Sequence, residues 1–388
     1  MLNRFAELSL GVGLGLGYLT SFRLLGLVGA SELLVLLSVL LMLQQNIKTV
    51  FSFKLSVEGY IKLYFLMMVL VFTPCITFVS FFAGGFGASV QPQYLLSFSL
   101  GVLLLFSLRE AVKKGFSFGR MSLFFAITFI ISNFIYIYFF SSGGEGLRYK
   151  GGADNPNQLL FYSWTLSLLL IVYHKKLAWV LIPLIVFIML KTKSDAYLLS
   201  LVLVVVLYTY FKLFTLKKLG RRGRSILMVF TMIILMVTFL LTYLDDLVSL
   251  WLLADEGNAR LTLMYNGFLA ALQSPVLGWG TGSFSGLRAP FEGWEAHNTF
   301  IDLSMQFGFM FAVVIYSIFI AVFFKAISEE DYMIAAFIVG FIVSGLFHFS
   351  GRHFVFWVEI AVFLTYLGKQ WGISVFYKVK EVDKCVVL

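Results

Sequence analysis

The stretch MSLFFAITFIISNFIYIYFF, residues 121–140, contains twenty residues and no charged side chain. That length suits an α-helix crossing the ~30 Å hydrocarbon core of a bilayer, which takes roughly 17–25 apolar residues. Similar runs recur along the 388 residues, of which 60% are hydrophobic and 13% charged. In hydrocarbon each segment must bond its own backbone, which favours helices, and the alternating pattern of a membrane barrel is absent. We therefore predict an all-α polytopic integral membrane protein.

The apolar runs predict about twelve transmembrane helices in a single membrane domain, residues 1–388. The approximate spans are 5–21, 24–44, 60–83, 94–109, 121–140, 158–174, 177–191, 194–211, 226–244, 298–324, 332–349 and 353–368. Only Ser21 to Arg23 interrupt the first two spans. The first run has no clear small-residue cleavage site, so we expect it to be retained rather than removed as a signal peptide.

The distribution of Lys and Arg predicts the orientation of the chain. An even number of spans places both termini on one side, and a cytoplasmic location for them leaves 21 of the 29 Lys and Arg residues on the cytoplasmic side. Such an excess is typical of cytoplasmic loops. We therefore interpret the net charge of +9, including the basic cluster 217–224, as a topology signal and lipid-headgroup contact rather than as nucleic-acid binding.

Two connections on the outer side are long enough to carry a function. The first, residues 141–158, contains the motif NPNQ at 155–158. The second, residues 245–297, joins predicted helices nine and ten and is the longest loop of the chain. Its segment ARLTLMYNGFLAALQS (259–274) has apolar residues at helical spacing, which predicts an amphipathic helix near the membrane surface. The glycine-rich PVLGWGTGSFSGL that follows predicts an irregular turn.

Polar residues stand at the entrance to the span that begins near residue 298. His297 and Asn298 precede the apolar run, and Asp302 lies four residues after Asn298, on the same helix face. One interpretation is purely structural, with a helix cap by Asn298 and interfacial anchoring by Trp294. An ionised Asp302 near the membrane interface needs a partner or water. The other interpretation is a ligand site.

Basic residues also remain on the outer side, where positive charge is depleted. They are Arg148, Lys150, Arg260, Arg288 and Arg352. The planar guanidinium fork suits phosphate oxygens, so the arginines are candidate ligands for an anion. Each of them is also consistent with a surface or lipid-headgroup contact.

Two short motifs leave a structural and a functional interpretation open. In NPNQ, Asn155 and Asn157 favour either a turn and helix cap or hydrogen bonds to sugar hydroxyls and phosphate. KTKSDAYL, residues 191–198, places Lys193 and Asp195 at the outer end of span eight. That pair either compensates its own charge or binds a ligand.

The sequence favours chemistry without a cofactor. His348 and His353 flank a Gly-Arg turn, but the chain has neither an HExxH motif nor a cysteine partner beside them, so a zinc site is not indicated. Moreover, no Gly-rich phosphate loop follows a strand and no sizeable soluble domain is present. We expect no metal, nucleotide or other cofactor.

Four segments in this order resemble the O-antigen polymerase and ligase superfamily of bacterial surface-polysaccharide assembly. They are GGADNPNQ (151–158), NARLTLMYNG (258–267), PVLGWGTGSF (275–284) and AHNTFIDLSMQFGFMF (296–311). The resemblance covers most of the second half of the chain. It implies a multi-pass inner-membrane glycosyltransferase with cytoplasmic termini and a periplasmic active site. Such enzymes move a glycan from undecaprenyl pyrophosphate to an acceptor sugar hydroxyl, with inversion and without metal or nucleotide.

The resemblance also assigns roles to residues. His297 matches the family's histidine and becomes the base or acceptor-orienting group, and Arg260 matches its loop-helix arginine and becomes the leading pyrophosphate ligand. Further substrate-binding candidates are Arg148, Asn155, Asn157, Lys193, Asp195, Arg288 and Asn298. Ligases of this family often carry an arginine at the outer end of span eight. This chain departs from that pattern, and Lys193 can replace the charge but not the bidentate fork.

The preferred function is therefore a surface-polysaccharide polymerase that joins repeat units. An O-antigen ligase that transfers the glycan to lipid A core is the alternative. A lipid-linked oligosaccharide flippase is a further alternative, although the chain shows no convincing internal repeat. The expected partners are the undecaprenyl-pyrophosphate-linked donor, a glycan or lipid A core acceptor, membrane lipids and a chain-length regulator, and no nucleic acid.

Overall fold

The computed structural model describes most of the chain. The described residues are 1–19, 23–24, 28–53, 56–82, 90–91, 93–140, 149–153, 155, 157–213, 223, 255–286 and 293–368. Within them, only the backbone is described for residues 23, 24, 28, 93, 140, 195, 213 and 255–258.

Helices make up nearly all of the described structure. They are α1 (Leu2–Leu16), α2 (Ala30–Val50), α3 (Val57–Met67), α4 (Thr73–Phe82), α5 (Gln93–Lys113), α6 (Phe118–Ile135), α7 (Gln158–Tyr173), α8 (Lys175–Lys191), α9 (Asp195–Leu213), α10 (Asp255–Gln273), α11 (Thr299–Phe307), α12 (Phe309–Ser328), α13 (Tyr332–Phe347) and α14 (Phe354–Gly368). A π-helical segment, Met68–Phe72, joins α3 to α4, and a second one, Tyr136–Phe140, extends α6. Two short strands, β1 (Arg23–Leu24) and β2 (Val28–Gly29), pair antiparallel.

The apolar helices identify a multi-pass membrane protein, as predicted. Five of the described helices are long and apolar enough to cross a bilayer: Ala30–Val50, Val57–Phe82, Tyr94–Lys113, Phe118–Phe139 and Phe309–Ser328. Four shorter apolar helices cover Gln158–Tyr173, Ala196–Lys212, Tyr332–Phe347 and Phe354–Gly368. The predicted span 226–244 lies outside the described residues, and the number of twelve crossings stays a prediction.

The chain forms two compact units, each built from separate parts of the sequence. Unit 1 comprises the described residues within Met1–Leu66, Ser97–Ser194 and Arg352–Leu388. Unit 2 comprises those within Met67–Leu96 and Asp195–Gly351. In unit 1, α1 packs against α2 and α6, and α7 packs against α6, α8 and α14. In unit 2, α13 packs against α9 and α12, and α11 packs against α10, α12 and α13.

Small residues let α1 and α6 approach closely in unit 1. A Cβ at Gly11 would come within 2.6 Å of Phe124 Cβ, and one at Gly15 within 3.0 Å of the Phe129 backbone nitrogen. Glycines four residues apart lie on the same helix face, and such pairs are common where membrane helices meet. The α1–α6 contact therefore depends on van der Waals packing of the two backbones.

The predicted span 298–324 is not one continuous helix. Gly308, with φ of 85°, separates α11 from α12. A Cβ at Gly308 would collide with the Val276 carbonyl oxygen, because the glycine-rich turn lies against the break. The Phe309 N–H donates to the Pro275 carbonyl oxygen (2.8 Å) of that turn. A tertiary contact thus interrupts a run that is continuous in hydropathy.

The boundary between the first two predicted spans also differs from the expectation. Helix α1 ends at Leu16, and α2 begins at Ala30 instead of near residue 24. The Gly29 N–H donates to Glu32 Oε2 (3.0 Å), so an acidic side chain in the first turn caps α2. This local cap, which hydropathy does not register, sets the start of the helix.

Candidate functional site

His297 lies in a strained turn immediately before α11. Its φ is 53°, in the left-handed region that costs a non-glycine residue about 1–3 kcal/mol. Asn298 then caps α11, because its Oδ1 accepts the Ile301 N–H (3.1 Å), which confirms the predicted cap. The Asn298 Nδ2 donates to the Leu346 carbonyl oxygen (3.4 Å) at the end of α13. The cap therefore holds the start of α11 beside α13.

The carboxylate of Asp302 closes the His297 turn from inside. Asp302 is fully buried, and its Oδ1 and Oδ2 accept the N–H groups of Ala296 and Asn298, each at 3.0 Å. Those two N–H groups flank His297. Each bond to a charged acceptor contributes about 1.5–3 kcal/mol, so together they offset the left-handed conformation. This is the partner that an acid at this depth was expected to need.

A second histidine, His348, faces the His297 ring. The ring centroids are 6.4 Å apart and the planes lie at 81°. The Thr299 hydroxyl donates to the His348 carbonyl oxygen (2.7 Å) and accepts the Ser350 N–H (3.0 Å), which ties the end of α13 to the start of α11. Sequence reasoning considered His348 only as a zinc ligand and missed this pairing. The available signal was that both histidines stand at the outer ends of adjacent predicted spans.

Arg260 lies on the face of α10 that packs toward His297. Arg260 precedes Gly267 by seven residues, two helical turns, so the two share a face. A Cβ at Gly267 would come within 2.6 Å of Ser285 Oγ and 3.1 Å of Ala296 Cβ, so this face meets the segment just before His297. Arg260 is half-buried. The packing thus brings the two residues assigned to catalysis to neighbouring elements of unit 2.

The opposite face of α10 is apolar and exposed. Leu261, Tyr265, Phe268 and Leu272 recur at three- and four-residue spacing and remain 37–64% exposed. The predicted amphipathic helix is therefore present, with one face packed on unit 2 and the other largely exposed, although the Phe268 ring lies 6.0 Å from that of Phe309. Its predicted location at the membrane surface stays an expectation.

The glycine-rich turn after α10 caps the C-terminal end of α11. The Trp279 N–H donates to the Met305 carbonyl oxygen (2.7 Å) and the Gly280 N–H to that of Gln306 (3.2 Å). These are carbonyl groups that a helix leaves without a partner of its own. Gly278, with φ of 69°, is required because a Cβ there would collide with the Gln306 backbone. The turn is therefore a structural part of the site.

The same turn is bonded to α4. The Thr281 N–H donates to Thr77 Oγ1 (2.9 Å), and the Ser80 hydroxyl donates to the Trp279 carbonyl oxygen (3.0 Å). Thr77 and Ser80 lie on α4, five and eight residues after the end of the π-helical segment. The N-terminal half of the chain thus helps to hold the loop that supports α11.

In unit 1, the structure joins the two short motifs of the outer loops. The Ser194 hydroxyl donates to Asn157 Oδ1 (2.8 Å), and both residues are buried. Asn155 Oδ1 accepts the Asn157 N–H (2.9 Å), which confirms the turn predicted for NPNQ. The Tyr149 N–H donates to the Lys191 carbonyl oxygen (3.2 Å). Residues from 149–157 and 191–194 therefore form one cluster.

Tyr149 fixes the start of this cluster. Its hydroxyl lies 2.9 Å from Asn133 Oδ1 and 3.0 Å from the Asn133 carbonyl oxygen, to which it donates. Burial raises the pKa of the Tyr149 phenol well above its usual range. The phenol therefore stays protonated and remains a hydrogen-bond donor.

The remaining predicted site residues are placed as follows. Lys193 is exposed in the turn after α8 and has a φ of 51°. Asp195 is the first residue of α9, and its side chain lies outside the described part of the structure. Arg148 and Arg288 lie outside the described residues.

Comparison with known proteins gives no assignment, because no protein-family model matches the chain and no curated protein matches it. Within the described part of the chain, no three His, Cys, Asp or Glu side chains are grouped so as to hold a metal ion. The function is therefore inferred from the residues and their geometry.

Proposed function

We propose that this protein is a membrane glycosyltransferase that moves a glycan from undecaprenyl pyrophosphate to an acceptor sugar, and that it joins repeat units as a surface-polysaccharide polymerase. The observation that carries the proposal is the His297 turn. A histidine is held in a strained conformation at the start of α11, beside the packed face of α10 that carries Arg260. Strained residues of this kind are frequent at functional sites.

The proposed reaction is a single displacement with inversion at the transferred sugar. The acceptor hydroxyl oxygen forms a bond to the anomeric carbon while the bond from that carbon to the pyrophosphate oxygen breaks. His297 takes the hydroxyl proton, since a neutral imidazole is a competent base near neutral pH. The undecaprenyl pyrophosphate leaves with the bonding electron pair.

Arg260 stabilises the charge that develops on the leaving pyrophosphate. Its guanidinium stays protonated and offers two parallel N–H donors to phosphate oxygens. A donor of this kind, aimed at developing charge, contributes roughly 10²–10³ in rate. Arg148 and Arg288 are weaker candidates for binding phosphate oxygens.

The unit 1 cluster is assigned to substrate binding. Asn155 and Lys193 are exposed there and offer amide and ammonium groups to sugar hydroxyls or phosphate. Asn157 is already bonded to Ser194, so we assign it to holding the shape of the cluster as well. Asp195 and Asn298 complete the substrate-binding assignment.

The decisive experiment is a transfer assay with the purified protein in lipid. Carrier-linked repeat units are supplied alone or together with lipid A core. A ladder of longer carrier-linked glycans without the core supports the polymerase. Product that forms only with the core identifies a ligase instead, and transport without transfer identifies a flippase.

Two variants test the assigned residues in that assay. His297→Ala and Arg260→Ala are expected to abolish transfer while the protein remains inserted in the membrane. Arg4→Ala, at the exposed start of α1, is the matched control and should transfer normally. Because arginine supplies the positive charge, a chelator should not reduce the rate. Near-normal ladders from either site variant remove that residue from the mechanism, and restoration of chelated enzyme by Mg²⁺ contradicts metal independence.

A further inference from the structure

We infer that Asp302 is the positioning residue for His297. The inference deepens the proposed function and rests on it for the role of His297. Asp302 lies in the first turn of α11, is fully buried, and accepts the N–H groups on both sides of His297. It does not need to touch substrate to act, because it fixes the backbone that carries the imidazole.

The arrangement of the two bonds supports a specific effect on His297. A carboxylate that only capped α11 would accept N–H groups of the first helical turn, as Asn298 does from Ile301. Asp302 instead accepts the N–H of Ala296, which precedes the helix, and that of Asn298, the cap residue itself. Its two oxygens thus span His297 and close the left-handed turn around it.

The burial of the Asp302 carboxylate strengthens this restraint. A buried carboxylate without hydrogen bonds is costly, so Asp302 and the two N–H groups hold one another in place. The start of a helix also favours negative charge, which suits Asp302 in the first turn of α11. Loss of either oxygen should therefore let the turn relax and move the imidazole.

The turn itself can be tested without measuring transfer. A position held in the left-handed region favours glycine over alanine, because a Cβ is penalised there. With Asp302 present, His297→Gly should be more thermally stable than His297→Ala by about 2 °C or more in apparent Tm. In the Asp302→Asn background that advantage should vanish or reverse, because a relaxed turn no longer penalises alanine. An unchanged advantage of glycine in that background would overturn the inference.

The catalytic consequence is measured separately. Asp302→Asn should lower kcat roughly tenfold to a hundredfold with little change in KM, since the imidazole is displaced while the substrate still binds. Asp331→Asn, an exposed aspartate before α13, is the matched control and should change neither the rate nor the preference at residue 297. Wild-type kcat in a folded Asp302→Asn variant, with His297→Ala inactive, would contradict a positioning role.

Failure of the proposed function and failure of the inference about Asp302 give different results. If His297→Ala transfers normally, the proposed function of His297 is wrong, whereas the glycine–alanine comparison still decides whether Asp302 holds the turn. If Asp302→Asn does not fold, Asp302→Glu replaces it, because the longer acid keeps the charge and shifts the carboxylate by one methylene. The stability advantage of glycine over alanine at residue 297 should again be lost. If that advantage persists, the inference is contradicted.

Discussion

At the scale of single residues, strain coincides with the predicted site. Among the described residues, three that are not glycine have positive φ, and two of them are the site candidates Lys193 and His297. Each stands beside a buried polar contact, Ser194 with Asn157 in one case and Asp302 with the turn in the other. Conformations that cost about 1–3 kcal/mol persist only where the surroundings hold them. A strained backbone conformation therefore occurs at two of the candidate site residues, Lys193 and His297.

If Arg260 binds the pyrophosphate, a positive charge without the paired N–H donors of a guanidinium should not support full transfer activity. Arg260→Lys keeps the charge but loses a parallel donor pair, and one charge-assisted bond is worth about 1.5–3 kcal/mol. We expect kcat/KM for transfer to fall roughly tenfold to a hundredfold. Arg4→Lys is the control, and equal rates for Arg260→Lys and wild type would reduce the role of Arg260 to simple electrostatics.

At the scale of helices, close packing decides which side chains meet. α10 reaches the segment before His297 through Gly267, where a Cβ would lie 2.6 Å from Ser285 Oγ and 2.9 Å from Ile301 Cγ2. The distance between α10 and α11 is thus set by a residue without a side chain. A change there moves Arg260 relative to His297 without altering either.

Gly267→Ala is expected to destabilise the protein although alanine favours helices. The gain in helix propensity is about 1 kcal/mol, whereas overpacking costs typically about 1–3 kcal/mol. Apparent Tm and transfer rate should both fall. Gly368→Ala, where a Cβ meets nothing within 4 Å among the described residues, should lower neither. Higher stability of Gly267→Ala with full activity would contradict the packing argument.

A second prediction concerns the bond between α7 and α14. The Thr165 hydroxyl donates to Glu359 Oε1 (3.0 Å) in the interior of unit 1. Thr165→Val removes the donor and leaves the buried acid short of a partner, which should destabilise by about 1–3 kcal/mol. Glu359→Gln keeps an acceptor for the Thr165 hydroxyl in a side chain of similar size, so it should cost less. Thermal unfolding in lipid measures both, and a Gln variant less stable than Thr165→Val would show that the carboxyl group itself is required.

At the scale of the whole molecule, helix ends sort into the two sets that charge distribution predicts. In unit 1, Arg120 Nε donates to Glu7 Oε2 (2.6 Å), which joins the starts of α1 and α6. His174 Nε2 lies 2.8 Å from the Gly119 carbonyl oxygen at the same end. At the other end, the Tyr18 hydroxyl donates to Ser132 Oγ (2.7 Å). The charge distribution predicts a cytoplasmic location for Glu7, Arg120 and His174 and an outer location for Tyr18 and Ser132.

Unit 2 shows the same sorting. Thr299 at the start of α11 meets His348 at the end of α13. The Phe211 ring, near the end of α9, lies 6.3 Å from Phe323 and 6.0 Å from Tyr332. The first pair belongs to predicted outer ends and the second group to predicted inner ends. Within each unit, helix ends that are predicted to lie on the same side of the membrane are therefore in contact, and which side is cytoplasmic stays a prediction.

The orientation predicts the activity of reporter fusions. A phosphatase that folds only outside the cytoplasm should be inactive when fused after Lys114 or Lys176 and active when fused after Gly152, because excess Lys and Arg stays in the cytoplasm. A fluorescent protein that matures only in the cytoplasm should give the opposite pattern and serves as the control. The reverse result for both reporters would place His297 in the cytoplasm and contradict a periplasmic active site.

Much of this architecture follows from local sequence. The apolar run 121–140 corresponds to α6 and its π-helical extension, and Asn298 caps α11 as expected from an amide directly before an apolar segment. His297 and Arg260 were selected by their side-chain chemistry together with the resemblance to the O-antigen polymerase and ligase superfamily. Hydropathy, capping and side-chain chemistry act within a few residues, which is why a linear reading registers them.

Tertiary structure alone decided the interruption at Gly308, the facing of His297 and His348, and the joining of Asn157 to Ser194. In these cases the partners are separated by about thirty to fifty residues or belong to different helices. Hydropathy is continuous across residue 308, and the left-handed turn stands at a histidine, His297, where a glycine would be the usual signal. The sequence by itself determined a helical membrane protein and the chemical groups available to it. Packing determined which of those groups meet, because such contacts depend on how distant helices pair.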